Sequence, residues 1–472
     1  MHRNNGRSDL LALIRNGKPM TLGQQLNLTV QLSIPSIMAQ LSSILMQFID
    51  ASMVGSLGAE ASASIGLVST TTWLFMGLCS AAATGFSVQV AHLLGAKDRE
   101  SARSVLRQAL STVLVFSLIL TSIGSAISGP LPEWLGGGEQ IRGDASGYFL
   151  IFILSLPAMQ LNVLASGMLR SSGNMKIPSI LNIMMCFLDV IFNFFLIFPT
   201  RDINVLGMSV RAPGAGMGVE GAALGTALAM AVTAAMMLHY LCFRSSDLDI
   251  AHSKGSFRLT SRCLKNAVGI GVPMGLERVI MCGAQIMSTV IVAPLGTVAI
   301  AANSFAITAE SLCYMPGYGI ADAATTLVGQ SLGARRKDLT WRFARITVSM
   351  GMAVMAIMGI VMYIAAPAII GIMTPDPQVT GLGASVLRIE AFAEPMYAAA
   401  IVSYGIFVGA GSTLVPCIMN LGSIWAVRLS IAAILAPSLG LKGVWIAMCI
   451  ELCFRGTIFL IRLFRKKWLE SV

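Results

Sequence analysis

Charge is scarce in this sequence. Only 11% of its 472 residues are Asp, Glu, Lys or Arg, against about 25% in a soluble domain. Histidine occurs four times and aromatic residues make up 7%. A chain so poor in charge, 55% hydrophobic and with mean hydropathy +0.77, does not stay in water; its solvent is lipid. The same figures exclude disordered, collagen-like and disulfide-scaffold classes. None of the nine cysteines falls in an outer loop, so no disulfide framework is expected. Zinc spacing is missing too, and Cys449 and Cys453, one turn apart, suit packing better than ligation. There is no Walker A loop, GxSxG, HExxH or DxDxDG run, so neither an ATP-driven pump nor an enzyme is expected, and no cofactor. No signal-peptide pattern opens the chain, and no cleaved leader is expected.

What is present is apolar length. Twelve stretches are long enough to span a bilayer as helices, at about 28–56, 62–92, 105–128, 145–169, 177–199, 218–242, 268–294, 299–330, 345–372, 383–409, 414–437 and 442–463. With the N-terminus in the cytoplasm, 24 Lys and Arg fall in inner segments and four in outer ones. That bias places both termini inside. The chain is read as a multi-pass protein of the plasma (inner) membrane. Basic inner loops facing anionic lipid also account for the net charge of +10 without any nucleic acid. The four remaining arginines, Arg278, Arg388, Arg428 and Arg455, lie within spans.

The chain repeats itself. At an offset of 238 residues, Pro35 falls on Pro273, Gly95-Ala96 on Gly333-Ala334, Pro157 on Pro395, Gly173 on Gly411 and Asn182 on Asn420. VGSLG at 54–58 falls on VAPLG at 292–296. The offset then drops to 222, with Gly218 on Gly440 and Gly221 on Gly443; the extra residues belong to the Gly- and Pro-rich outer loop 200–217. Six helices have been duplicated. Six is even, so both copies enter from one side and form a parallel repeat. The expected fold is an all-α polytopic membrane protein of twelve transmembrane helices in two six-helix lobes. Its parts are a cytoplasmic N-tail at 1–26, an N-lobe at 27–242, an inter-lobe loop at 243–267, a C-lobe at 268–463 and a C-tail at 464–472. His2 and His252 read as solvated loop residues, His92 and His239 as packing residues near helix ends.

Eight carboxylates lie within the spans: Asp50, Asp189, Glu277, Glu310, Asp322, Glu390, Glu394 and Glu451. Each costs roughly 2.5–3.5 kcal/mol if it faces lipid, so most should face a wet cavity or a partner. Glu451 is one turn from Arg455 and at similar depth to Arg428, which suggests a structural ion pair. Glu277 adjoins Arg278 near the depth of Asp322; a stabilising polar cluster and an ion site both fit. Glu390 and Glu394 are four apart on one helical face, with Tyr397 one turn on. Like charges at that spacing repel, which favours a bound proton, cation or cationic substrate. Asp50 and Asp189 have no basic residue at their depth and read as functional. The 29 methionines suit a cavity for varied hydrophobic ligands or plain apolar filling equally well.

At this point the residues resemble a family. PSIMAQLSSILMQFIDASMVGSLGAEASASIG and GFSVQVAHLLGAKDRESAR are similar to the first two helices of MATE (multidrug and toxic compound extrusion) transporters. GVPMGLERV, VAPLGTVAIAANSFAITAESLCYMPGYGIADAATTLVGQSLGA and FVGAGSTLVP resemble their DinF-like branch. The resemblance runs from about Gln25 to Arg465 and implies secondary active efflux of small amphipathic cations or drugs in exchange for H⁺, with Na⁺ as the alternative coupling ion. A monomer is expected, with membrane lipid around it. Asp50 matches the family's acidic residue in the first helix, which carries the coupling ion. Glu277 falls in the seventh helix, where other branches keep an acid. The tenth helix supplies cavity residues, here Glu390, Glu394 and Tyr397, and Glu310 and Asp322 complete the candidates for a substrate or second cation site. Two departures stand out. The fifth helix of that branch usually reads Asn-x-x-x-Asp, whereas here Asp189 precedes Asn193; which position titrates stays open. The usual GAGDT turn reads GAGST, with Ser412 for the acid. The alternative function is a flippase of a lipid-linked precursor, which would want a cavity lined by Arg and Lys; eight acids within the spans against four arginines argue against that cargo. A channel suits a two-lobed repeat less well than alternating access.

Overall fold

The computed structural model describes residues 5–205 and 208–470. A short amphipathic helix, α1 (Asn5–Arg15), precedes the first span, α2 (Leu22–Gly55), which is followed by α3 (Ala59–Gly95) and α4 (Arg99–Ile127). After the single turn α5 (Leu131–Trp134), the fourth span is a pair, α6 (Glu139–Leu154) and α7 (Leu156–Ser171), bent by 47°. Next come α8 (Lys176–Ile197), a ribbon of β1 (Pro199–Val205) and β2 (Met208–Ala215), and α9 (Gly218–His239) with a π-helical turn at Tyr240–Arg244. The second half opens with α10 (Ser261–Val292), α11 (Thr297–Gly333) and α12 (Lys337–Met373). Its bent pair is α13 (Pro377–Ala391) and α14 (Glu394–Gly409), at 59°. Then α15 (Leu414–Gly422) runs through a π-helical turn at Ser423–Leu429 into α16 (Ser430–Leu439), and α17 (Leu441–Phe464) and α18 (Lys467–Glu470) close the chain. Ten unbroken spans and two bent pairs give the twelve expected. Helices are the form in which an apolar chain can bond its whole backbone internally in lipid.

Both bends follow from repeat-related prolines. Pro157 and Pro395 sit near the starts of α7 and α14. Each lacks an N–H and excludes the carbonyl four residues back, at Ile153 and Ala391, so the helix breaks there. This corrects the reading of Glu390 and Glu394 as neighbours on one continuous helix: Glu390 is near the end of α13 and Glu394 begins α14.

The turns also repeat. Gly58 and Gly296 have φ of +124° and +98°, and Gly173 and Gly411 have +90° and +77°. Lys97 and Arg335, also mates at the 238 offset, share left-handed φ of 63° and 59° without being glycine. The residues that shorten the offset fold as the antiparallel ribbon, with Asp202 opposite Arg211 and an irregularity between Pro199 and Arg201. The stretch 200–217 is therefore strand rather than open loop over most of its length. In the second half, Gly440 alone, at φ +60°, joins α16 to α17.

The chain folds into two compact units. One comprises Met1–Leu41, Ala91–Asp98 and Val272–Val472, the other Ser42–Val90 and Arg99–Gly271. In the second of these, Phe75 meets Phe149 edge to face at 6.0 Å in a core with Val68, Leu120, Ile153 and Leu156. Its segment 243–260 is anchored to α4: Asp247 pairs with Arg99 at 2.9 Å, Arg107 donates to the Ser253 carbonyl at 2.8 Å, and Gln108 Oε1 accepts from Thr260 N at 2.9 Å. His252 there is exposed and bonds Asp249 at 2.7 Å, and this bond holds the Asp249 carboxyl below its ordinary range.

In the first unit, Phe343, Phe407 and Phe459 are fully buried. The ends of α3 and α11 cross there. A Cβ on Gly95 would collide with the Gln330 carbonyl, and one on Gly333 with the His92 carbonyl. His92 and Gln330 are themselves mates at the 238 offset, so the contact is reciprocal, as a two-fold contact is. His92 Nε2 lies 2.7 Å from the Gly409 carbonyl, which fits its packing role.

Candidate ion-coupling and substrate sites

The unit built on Ser42–Val90 and Arg99–Gly271 holds one acidic cluster. Asp50 comes from the last turns of α2, Asp189 and Asn193 from one face of α8, a turn apart. The Asn193 amide donates one hydrogen to Asp50 Oδ1 at 2.9 Å and the other to Asp189 Oδ2 at 3.2 Å. Asp189 and Asn193 are fully buried; Asp50 is partly exposed. The two carboxyl groups are also close enough to interact electrostatically. Thr226 of α9 faces Asp189 but gives its own hydrogen to the Ala222 carbonyl at 3.1 Å. Asp189 Oδ1 and Asn193 Oδ1 are buried and accept no hydrogen bond among the described residues. Gly225 of α9 permits this arrangement, because a Cβ there would strike Asn193 Oδ1. No lysine or arginine pairs with either carboxylate among the described residues.

A larger polar assembly lies in the other unit. Glu310 of α11, Glu390 and Glu394 are buried and within electrostatic range of one another. None of the four carboxylate oxygens of Glu390 and Glu394 accepts a hydrogen bond among the described residues. The Cys313 thiol faces Glu394 without ordinary hydrogen-bond geometry. Tyr314 stands edge-on to Tyr318 at 5.9 Å and to Tyr397 at 5.6 Å. The Arg455 guanidinium lies 5.5 Å from the Tyr397 ring centre.

Beside these acids, Glu451 is the hub of an ion network. It accepts from Arg428 Nη2 at 2.7 Å and Nε at 3.0 Å, from Arg455 Nη2 at 3.1 Å, and from the Ser423 hydroxyl at 2.6 Å. Ser423 and Arg428 both belong to the π-helical turn, a widened turn of the kind often found at functional sites. Glu277 accepts from the Tyr404 hydroxyl at 2.6 Å and from Asn420 Nδ2 at 2.7 Å. Asp322 accepts from the Ser36 hydroxyl at 3.1 Å and from Gln40 at 3.5 Å. The sequence candidates for a substrate or second cation site thus have different partners: Glu310, Glu390, Glu394 and Tyr397 share one assembly, while Glu277 and Asp322 each have their own donors.

The MatE family model matches residues 35–195 and 273–434, together more than half of the chain. The chain belongs to the MatE family. The matched segments begin at Pro35 and Pro273, which are mates at the 238 offset. MatE chains are transporters rather than enzymes. Among curated proteins, this chain is similar to the "Probable multidrug resistance protein NorM" of Thermotoga maritima, at 26% identity over 93% of this chain and 92% of that one. It is also similar to the protein of the same name from Bacillus cereus ATCC 10987, at 25% over 94% and 96%. Among solved structures, the outward-facing conformation of a multidrug resistance MATE family transporter of the MOP superfamily matches with TM-score 0.86 at 22% identity, over 96% of this chain and all of that one. A MOP superfamily transporter from Pyrococcus furiosus, described as having a binding pocket of reverse polarity, matches with the same TM-score at 21% identity, over 96% and 100%. At such identities these structures establish the fold.

Apart from Asn193, sequence reasoning did not find the neutral residues around this MatE chain's acids. Tyr404, Asn420, Ser423, Ser36 and Gly225 carry no spacing signal of their own. Asn420 was visible only as a repeat landmark. Glu310 stood out only as a charge within a span, three residues before Cys313.

Proposed function

We propose that this MatE chain is a secondary active antiporter of the plasma (inner) membrane, acting as a monomer with both termini cytoplasmic. It exports small amphipathic, cationic organic compounds in exchange for H⁺, with Na⁺ as the alternative ion, by alternating access between its two lobes. The Asn193 amide shared between Asp50 and Asp189 carries this reading. Two carboxylates held by one amide in an apolar surround repel each other, and a proton or cation between them relieves the repulsion. Opening such a site to water on one side and then the other would load and release that ion. Glu310, Glu390 and Glu394, with the tyrosines beside them, supply negative charge and aromatic faces, the chemistry that holds an organic cation.

The flippase alternative needs free cationic groups for a pyrophosphate. Of the four arginines within spans, Arg428 and Arg455 are both taken by Glu451 and Arg388 donates to the Tyr363 carbonyl at 3.2 Å, which leaves only Arg278, exposed, without a hydrogen-bond or ion-pair partner among the described residues. The test is ethidium efflux in everted vesicles, driven by a pH or Na⁺ jump, for the wild type and for Asp50→Asn. The wild type should respond to an imposed ion gradient and the variant, inserted at normal yield, should not. Full drug resistance in cells carrying Asp50→Asn would remove the coupling role.

A further inference from the structure

A groove of about 430 Å³ runs along the end of α17. It is lined by Met396 of α14 and by Thr457, Leu460, Ile461, Phe464 and Arg465. The spacing 457, 460/461, 464/465 puts these residues on one face of the helix. Its origin is a close approach further back: a Cβ on Gly456 would strike the Met396 carbonyl, so α17 and α14 touch there. Ile461 and Phe464 are 48% and 59% exposed, so the groove is an open apolar trough on a lipid-exposed helix. Over the eight steps from 457 to 465 a helix rises about 12 Å, the length of roughly half an acyl chain.

The cations at this end are not equivalent. Arg462 donates to the Ser412 hydroxyl at 3.2 Å and lies over the Phe407 ring. The Lys466 ammonium lies 4.6 Å from the Trp341 ring centre, and Phe464 stands edge-on to the same ring at 5.6 Å. Lys467 is exposed and does not line the groove. Arg465 lines the groove and is exposed, and its guanidinium has no ion-pair or hydrogen-bond partner among the described residues.

We propose that this groove is a binding site for one anionic glycerophospholipid, with an acyl chain against Leu460, Ile461 and Phe464 and the headgroup phosphate on Arg465. Charge complementarity commits the occupant. A zwitterionic lipid offers the same chain, but its own ammonium competes for the phosphate, and a guanidinium in an apolar rim favours the lipid with uncompensated negative charge. The site is separate from the acidic clusters and stands independently of the transport reading.

The test is a titration of the purified full chain in detergent with phosphatidylglycerol, phosphatidylcholine or glycerol phosphate. Bound lipid is counted by native mass spectrometry and melting temperature is followed alongside. One phosphatidylglycerol should bind and raise the melting temperature more than phosphatidylcholine does. Arg465→Gln should weaken it roughly tenfold or more, the worth of a charge-assisted contact. Ile461→Trp, which fills the trough from its exposed side, should abolish it, whereas Lys467→Gln should leave it within about twofold. An equal loss for Lys467→Gln and Arg465→Gln would mean diffuse attraction to a basic helix end and would overturn the site. So would glycerol phosphate competing as well as the lipid, since the acyl chain would then contribute nothing.

Discussion

The side-chain amide of Asn193 spends both of its hydrogens on carboxylates, one on Asp50 at 2.9 Å and one on Asp189 at 3.2 Å. This makes the order of acid and amide along α8 a testable matter. Asp189→Asn alone should lose ion-coupled efflux. The double change Asp189→Asn with Asn193→Asp keeps one acid and one amide on the same face, and puts the acid where it already touches Asp50. It should recover a substantial part of the lost transport in everted vesicles. Wild-type transport by the single variant would reduce Asp189 to a structural role. A dead but well-folded double variant would mean that position along the helix, not pairing, decides which residue works.

Gly225 supplies the room that Asn193 occupies. Gly225→Ala should force α8 and α9 apart or displace Asn193, at a cost of about 1–3 kcal/mol. The expected result is a melting temperature several degrees lower together with impaired coupling. A variant with unchanged melting and unchanged efflux would show that the Asn193 contact does not matter.

Glu451→Gln leaves the partly buried Arg428 and the buried Arg455 against a neutral group. Removing one partner of a buried pair costs about 3–5 kcal/mol, so yield and thermal stability should fall. Normal melting with lost transport would move Glu451 from the supporting framework into the transport cycle.

Glu390→Gln and Glu394→Gln should each weaken efflux of cationic drugs more than that of neutral ones, because a carboxylate in a low-dielectric pocket acts mainly by attracting a cation. The comparison is made with paired substrates of similar size in the same vesicles. Equal loss for both classes would point to a folding defect around the α13–α14 break.

The sequence by itself determined the membrane, the spans and the duplication. These depend on mean apolarity, on runs of some twenty residues and on matches at one offset, all of which are local or periodic quantities. It also marked out Asp50, Asp189 and Glu451, because a charge within a span is costly wherever it sits. Tertiary structure decided what each charge touches. Asp50 and Asn193 are 143 positions apart, as are Glu277 and Asn420, and no periodicity encodes such a meeting. The bend at Pro395 was written in the chain, but its effect was not: it ends α13 just after Glu390 and begins α14 at Glu394, leaving two carboxylates without donors among the described residues on either side of a break. Glu451, by contrast, gained a second arginine and a serine only because a π-helical turn carries Ser423 and Arg428 to it. Periodicity sets which face a residue lies on; which face meets it depends on how the helices pack.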